Sequence, residues 1–204
     1  MKIAKNIFLL PSVVSDQDCD TLVDSIEDRW WDLGPEPVDG LPLWQTKAMG
    51  RHQCPEVLYQ FSRMLAITYL IDKIHELTGF SKAKLLSSEF WPFMRKYQTG
   101  NKGRDSFKLH PDPTYFTAII LLTDPSEFEG GDFIIKKSLF QAAEPVKMKK
   151  GDCVIFKGSK KHGVEKVTKV FVTHLICSSG TAMTRLKFTY RTNHGYKYFH
   201  TPLC

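Results

Sequence analysis

The chain has 204 residues, with 28 Lys and Arg against 22 Asp and Glu, a formal net charge of +6. Hydrophobic residues make up 42% and charged residues 25%, the balance of a globular domain long enough to bury its core without disulfide staples. No apolar run approaches the length of a membrane span, and the five cysteines lack disulfide or metal spacing, so a reducing, cytoplasmic setting is expected.

The first residues carry lysines and a short apolar patch, Ile7-Phe8-Leu9-Leu10, too short for a signal peptide and without a small-residue cleavage site. Residues 12–80 read as mostly helical. Ser15 is a helix N-cap followed by acidic first-turn residues, and Leu22, Ile26 and Trp30 recur at four-residue spacing as one apolar stripe. A loop from Gly34 to Pro42 interrupts. A second helix is predicted from about Pro55 to Leu77, with Leu58, Phe61, Leu65 and Leu70 among its apolar positions and Gly79 as its stop. Trp30, Trp31, Trp44 and Trp91 are expected to pack in the core. The longer stretch Asp32 to Arg51, with Trp44, Lys47 and Arg51, is long enough to fold over a pocket as a lid.

Short strands dominate the rest of the chain. Phe116 to Leu122 is apolar and partly β-branched, as a buried strand should be. Glu127 to Ile135 holds a Gly130-Gly131 turn before a second apolar run, and Met148 to Phe156 holds a Gly151-Asp152 turn before a third. Val170 to Cys177 is another apolar strand. Arg185 to Arg191 alternates, with Arg185, Lys187, Thr189 and Arg191 on one face and Leu186, Phe188 and Tyr190 on the other.

Among these strands, His110-Pro111-Asp112 and the downstream His162 are the most informative residues. A His-x-Asp pair on extended backbone puts both side chains on one face, and a distant His can complete a three-ligand set. Two imidazoles and one carboxylate on one side of an ion form the facial triad of non-haem Fe(II) sites, which leaves the other positions open. His52, His75, His174, His194 and His200 read as ordinary polar residues instead.

The ordered series of Tyr97, His110 to Asp112, a strand, Phe128 to Gly131, Gly151 to Phe156, and His162 to Val164 resembles the Fe(II)- and 2-oxoglutarate-dependent oxygenases. Within them it is most similar to the prolyl- and lysyl-hydroxylase-like branch, over roughly residues 85–192. The resemblance implies an α+β fold with an all-β core: a double-stranded β-helix, or jelly roll, at about 85–192, buttressed by helices at about 12–80. The whole of 1–204 would then form a single oxygenase domain. It also implies Fe(II) on His110, Asp112 and His162, with O2 and 2-oxoglutarate as co-substrates. Turnover would convert 2-oxoglutarate to succinate and CO2 and hydroxylate a second substrate. In related halogenases a Gly or Ala stands where Asp112 stands here, so Asp112 favours hydroxylation.

The distal carboxylate of 2-oxoglutarate needs a cation, best met by the planar fork of an arginine. In this branch the cation lies about ten residues after the distal His, which here is Val172. The basic candidates nearby are Lys169 and Arg185, and Arg185 is favoured, with Tyr97 assisting and Arg191 on the same face. The segment Arg185 to Arg191 also resembles the Arg-x-Asn-x-Thr-x-Arg strand of AlkB-like nucleic-acid demethylases, with Lys187 in place of the Asn. An amino-acid side chain, free or within a peptide or protein, is therefore the expected substrate, and a nucleic acid is the alternative. The mid-chain lysines fit an acidic partner or a plain solvated face. A non-catalytic jelly-roll binding module is the alternative from another class. Oligomeric state is not legible.

Overall fold

A computed structural model describes residues 1–46, 54–100, 104–169, 171–180, 191–192 and 195–196. In chain order its main elements are β1 (Lys2–Ala4), β2 (Ile7–Leu10), α1 (Asp16–Asp24), β3 (Trp31–Asp32), β4 (Gln45–Thr46), α2 (Glu56–Leu65), α3 (Ile71–Thr78), α4 (Lys82–Leu86) and β5 (Glu89–Gln98). There follow β6 (Phe107–His110), β7 (Thr114–Leu121), β8 (Glu129–Gly130), β9 (Phe133–Lys136), β10 (Ala143–Pro145), β11 (Cys153–Lys157), β12 (His162–Val164), β13 (Val167–Lys169), β14 (Phe171–Gly180), β15 (Arg191–Thr192) and β16 (Gly195–Tyr196).

Local chemistry explains the helices. The Ser15 hydroxyl accepts a hydrogen bond from the Asp18 N–H at 3.1 Å and starts α1, with Asp16 and Asp18 in its first turn. The helix stops at Asp24, earlier than the apolar stripe predicts. Ile26 is buried just beyond it, and Trp30 lies in a short 3-10 turn, so the stripe continues as packing without continuing as a helix. The predicted second helix runs from Glu56 to Thr78, with a π-helical stretch at Ala66–Leu70, and ends at Gly79.

Eight strands form the main sheet, in the order β1-β2-β11-β7-β14-β5-β4-β3, and four form a smaller sheet, β10-β9-β12-β6. All their pairings are antiparallel. The N-terminal apolar patch is thus a strand on β11, and Trp31–Asp32 and Gln45–Thr46 extend the other edge of the main sheet.

Period-two alternation sends each strand's side chains to two different cores. On β7 and β14, Ile119, Leu121, Val172 and Ile176 face the smaller sheet, where they meet Phe107, Phe133, Ile135 and Val164. Their neighbours Ile120, Leu175 and Cys177 face the helices, where they join Leu22, Leu58, Leu70 and Ile74. Two sheets closed on a shared core, with helices on the outer face, make the expected double-stranded β-helix. Each fully buried Ile, Leu or Phe contributes roughly 1.5–3 kcal/mol. A slip of one residue would exchange the two faces, so register is strongly fixed.

Candidate metal centre

His110 ends β6 and His162 begins β12, and the two residues are directly paired across the smaller sheet. Asp112 follows in the turn before β7, where its N–H donates to the Gly158 carbonyl at 2.8 Å. This close approach depends on glycine at two places. A Cβ on Gly163 would stand 2.4 Å from the Phe107 carbonyl oxygen, and one on Gly158 would stand 2.3 Å from that of Thr114. Larger residues would push β12 off β6, or the Gly158 turn off the Asp112 segment.

The ligand atoms of His110, Asp112 and His162 all lie within 4.8 Å of one another. His110 Nε2 is 3.4 Å from Asp112 Oδ1, and His162 Nε2 is 3.5 Å from Asp112 Oδ2. Both separations are close to the roughly 3 Å between neighbouring ligand atoms that share one small cation. His110 Nδ1 lies 2.9 Å from the Lys108 carbonyl and His162 Nδ1 lies 3.0 Å from that of Lys160. A carbonyl can only accept, so both Nδ1 atoms donate and both Nε2 atoms face Asp112. Burial lowers the His162 pKa to about 4, which keeps its ring neutral and ready to donate a lone pair. Burial pushes the Asp112 carboxyl up, but His110, His162 and Thr117 outweigh it and the net direction is down. The set is two imidazoles and one carboxylate, a donor set that suits Fe(II).

The three residues stand at the rim of a cavity of about 230 Å3 between the two sheets. Phe93, Arg95, Tyr97, Ile119, His174 and Ile176 line its main-sheet wall, and Glu36 and Val38 reach it from the loop before β4. Tyr97 is buried and lines this wall. Val172 is buried and apolar. Lys169, the second candidate for the carboxylate, pairs with Glu129 at 3.1 Å on the surface, with both side chains about two-thirds exposed. Arg185 lies outside the described residues, as do Lys47 and Arg51, and of Arg191 only the backbone is described, paired with Tyr196.

Two wall residues escaped the sequence reading. Arg95 is 6% exposed and His174 is 3% exposed. His174 read as an ordinary strand histidine, and it is no part of the three-residue cluster, yet its ring meets Tyr97 edge-on at 5.7 Å on the cavity wall. The available signal was alternation: Arg95 shares the parity of Tyr97, and His174 that of Val172. Trp44 is turned elsewhere, against the Lys96 ammonium at 5.7 Å, on the opposite side of β5 from Arg95.

No protein-family model matches the chain. A PKHD-type hydroxylase of Pseudomonas putida strain KT2440 is 26% identical over 115 residues, covering 50% of this chain and 48% of the relative. The chain spans about half the length of the curated relatives it matches. Among solved structures, an oxidoreductase of the 2OG-Fe(II) oxygenase family from Burkholderia pseudomallei superposes with a TM-score of 0.62 at 14% identity, over 86% of this chain and 85% of the other. A Pseudomonas putida prolyl-4-hydroxylase superposes with a TM-score of 0.58 at 14% identity, over 86% and 92%. With the jelly roll, the ordered motif series and the converging His-Asp-His donors, the chain is similar over about half its length to PKHD-type hydroxylases and shares its fold with solved 2OG-Fe(II) oxygenases.

Proposed function

We propose that the chain is an Fe(II)- and 2-oxoglutarate-dependent hydroxylase of an amino-acid side chain, free or within a peptide or protein. The observation that carries this is the convergence of two imidazole Nε2 atoms and one carboxylate at the rim of a cavity, with both Nδ1 atoms committed to carbonyls. The PKHD-type relative and the prolyl-4-hydroxylase neighbour support the choice of substrate class. In this reading residues 1–204 form one oxygenase domain.

His110, Asp112 and His162 would hold the ion. When bound, iron with 2-oxoglutarate and O2 supplies the oxidation that turns a substrate C–H into C–OH, with succinate and CO2 as co-products. The chain's own task is to position and to exclude water. Thr117 and the Gly158 carbonyl fix Asp112, and the Lys108 and Lys160 carbonyls fix the two rings. Phe107, Phe133, Ile119 and Ile176 give the cavity apolar walls that keep water away from the reacting atoms. Glu36 and Val38 line the cavity, so the loop before β4 that carries them is the segment that would grip the second substrate.

The test is a mass-spectrometric screen with Fe(II), 2-oxoglutarate and O2 over amino acids, proline- and lysine-containing peptides, and oligonucleotides. A product one oxygen atom heavier on an amino acid or peptide, matched by succinate, is expected. Oxidation of an oligonucleotide alone would move the substrate to nucleic acid. Absence of iron-dependent succinate across the whole panel would leave a binding module.

A further inference from the structure

Among the described residues lining the cavity, Arg95 is the one permanent cation. Its place follows from strand pairing. His174 on β14 is paired with Arg95 on β5, and Val172 is paired with Tyr97. Arg95 therefore stands one strand across and one row along from the apolar Val172, where the branch ordinarily carries its cation. The guanidinium carbon lies 4.3 Å from the Phe107 ring centroid, and that ring meets His110 edge-on at 4.3 Å. One aromatic ring thus separates the guanidinium from a residue of the metal cluster, a reach that suits a five-carbon diacid.

The donors of Arg95 are also arranged for a ligand. Its Nε and Nη2 donate to Gln45, and Nη2 donates to the Glu36 carboxylate at 2.8 Å. These bonds use Nε and Nη2, and Tyr97 lines the same wall of the cavity as Arg95. The Glu36 carboxylate, 8% exposed, already demonstrates that a carboxylate is accommodated on this guanidinium at the cavity wall. His174 completes the group. Burial lowers its pKa to about 4, so it offers a neutral N–H and no charge of its own.

We propose that Arg95, flanked by Tyr97 and His174, holds the distal carboxylate of 2-oxoglutarate, so that the cation of this site comes from β5 and not from β14 or the Arg185 segment. The inference rests on the reading above that the chain uses 2-oxoglutarate. A guanidinium held on one side by Gln45 and Glu36 loses little freedom on binding a second carboxylate, so its contribution is pre-organised.

The experiment is equilibrium calorimetry on Mn(II)-loaded protein with two keto acids. One is 2-oxoglutarate and the other is 2-oxobutyrate, which keeps the metal-binding head and lacks the distal carboxylate. The wild-type protein is expected to bind 2-oxoglutarate at least about tenfold more tightly. Arg95→Met combined with Glu36→Gln, which avoids leaving a buried unpaired charge, should erase that preference and leave 2-oxobutyrate binding unchanged. Tyr97→Phe removes only a hydroxyl and should shrink the preference several-fold, which tests the site without touching the buried pair. Arg185→Met should leave the preference intact. If the Arg95 and Tyr97 variants keep the wild-type preference, or if Arg185→Met abolishes it, the assignment is overturned. If wild-type protein binds neither keto acid in the presence of Mn(II), the co-substrate reading fails first and this assignment falls with it.

Discussion

Asp112 is held from two directions, and that is what makes it a usable ligand. Its N–H is tied to the Gly158 carbonyl, and its Oδ2 accepts from the Thr117 hydroxyl at 2.6 Å. Thr117→Val keeps the shape and removes that donor, so Mn(II) or Fe(II) affinity should fall by about 10–100-fold, with little change in the thermal unfolding of the metal-free protein. An unchanged metal affinity would show that Thr117 does not orient the carboxylate. That His110, Asp112 and His162 would converge was legible in the sequence, because the pattern is local for two of them and the third opens with His-Gly-Val after a recognisable turn and strand. The juxtaposition of Arg95 and His174 on the cavity wall was not, because it depends on the pairing of β5 with β14, residues nearly eighty positions apart in sequence. Counting along one strand leads to Val172, and nothing in a linear count points to the neighbouring strand.

At the scale of elements, the loop before β4 is held by buried polar contacts. Arg104 is buried and bonds Asp39 through both terminal nitrogens, with Nε on the Pro42 carbonyl at 2.8 Å and its guanidinium 4.5 Å from the Phe107 ring. The Asp39 and Arg104 side chains are 1% and 0% exposed. Arg104→Met leaves Asp39 buried without its partner, a loss of about 3–5 kcal/mol. Denaturant unfolding should show it, and limited proteolysis should cut faster within residues 35–42. Adding Asp39→Asn should recover part of the loss. Wild-type stability in Arg104→Met would mean that the loop is held by its apolar contacts. Neither the pin nor its partner could be read from the sequence, since 65 residues separate them. The helices and long strands could be, because caps and period-two alternation are local signals. The four-residue run Ile7–Leu10 was too short to be identified as a strand without sight of β11, its partner.

The whole molecule combines an apolar double core with ionisable groups buried at the wall of its cavity, and this sets its response to acid. His174 has a pKa of about 4 in the folded chain against an ordinary 6.5. The unfolded chain therefore takes up this proton first as the pH falls, and stability drops from about pH 6.5 down to about pH 4, by up to about 3 kcal/mol. His162 is shifted the same way and adds to the slope in metal-free protein. His174→Leu should flatten that part of the stability–pH curve, measured by denaturant unfolding of metal-free protein. An equally steep curve would show that His174 is not held neutral by burial. No helix among the described residues is long and apolar enough to cross a membrane. The central claim is that His110, Asp112 and His162 bind an iron that drives 2-oxoglutarate turnover. The most direct measurement is iron-dependent succinate formation from 2-oxoglutarate by purified wild-type protein and by His162→Ala. Wild-type protein should form succinate only with Fe(II), and the variant should lose more than about 100-fold, since a direct ligand should cost at least as much as the residues that orient one. Undiminished turnover by His162→Ala, or wild-type turnover indifferent to iron, would contradict the account.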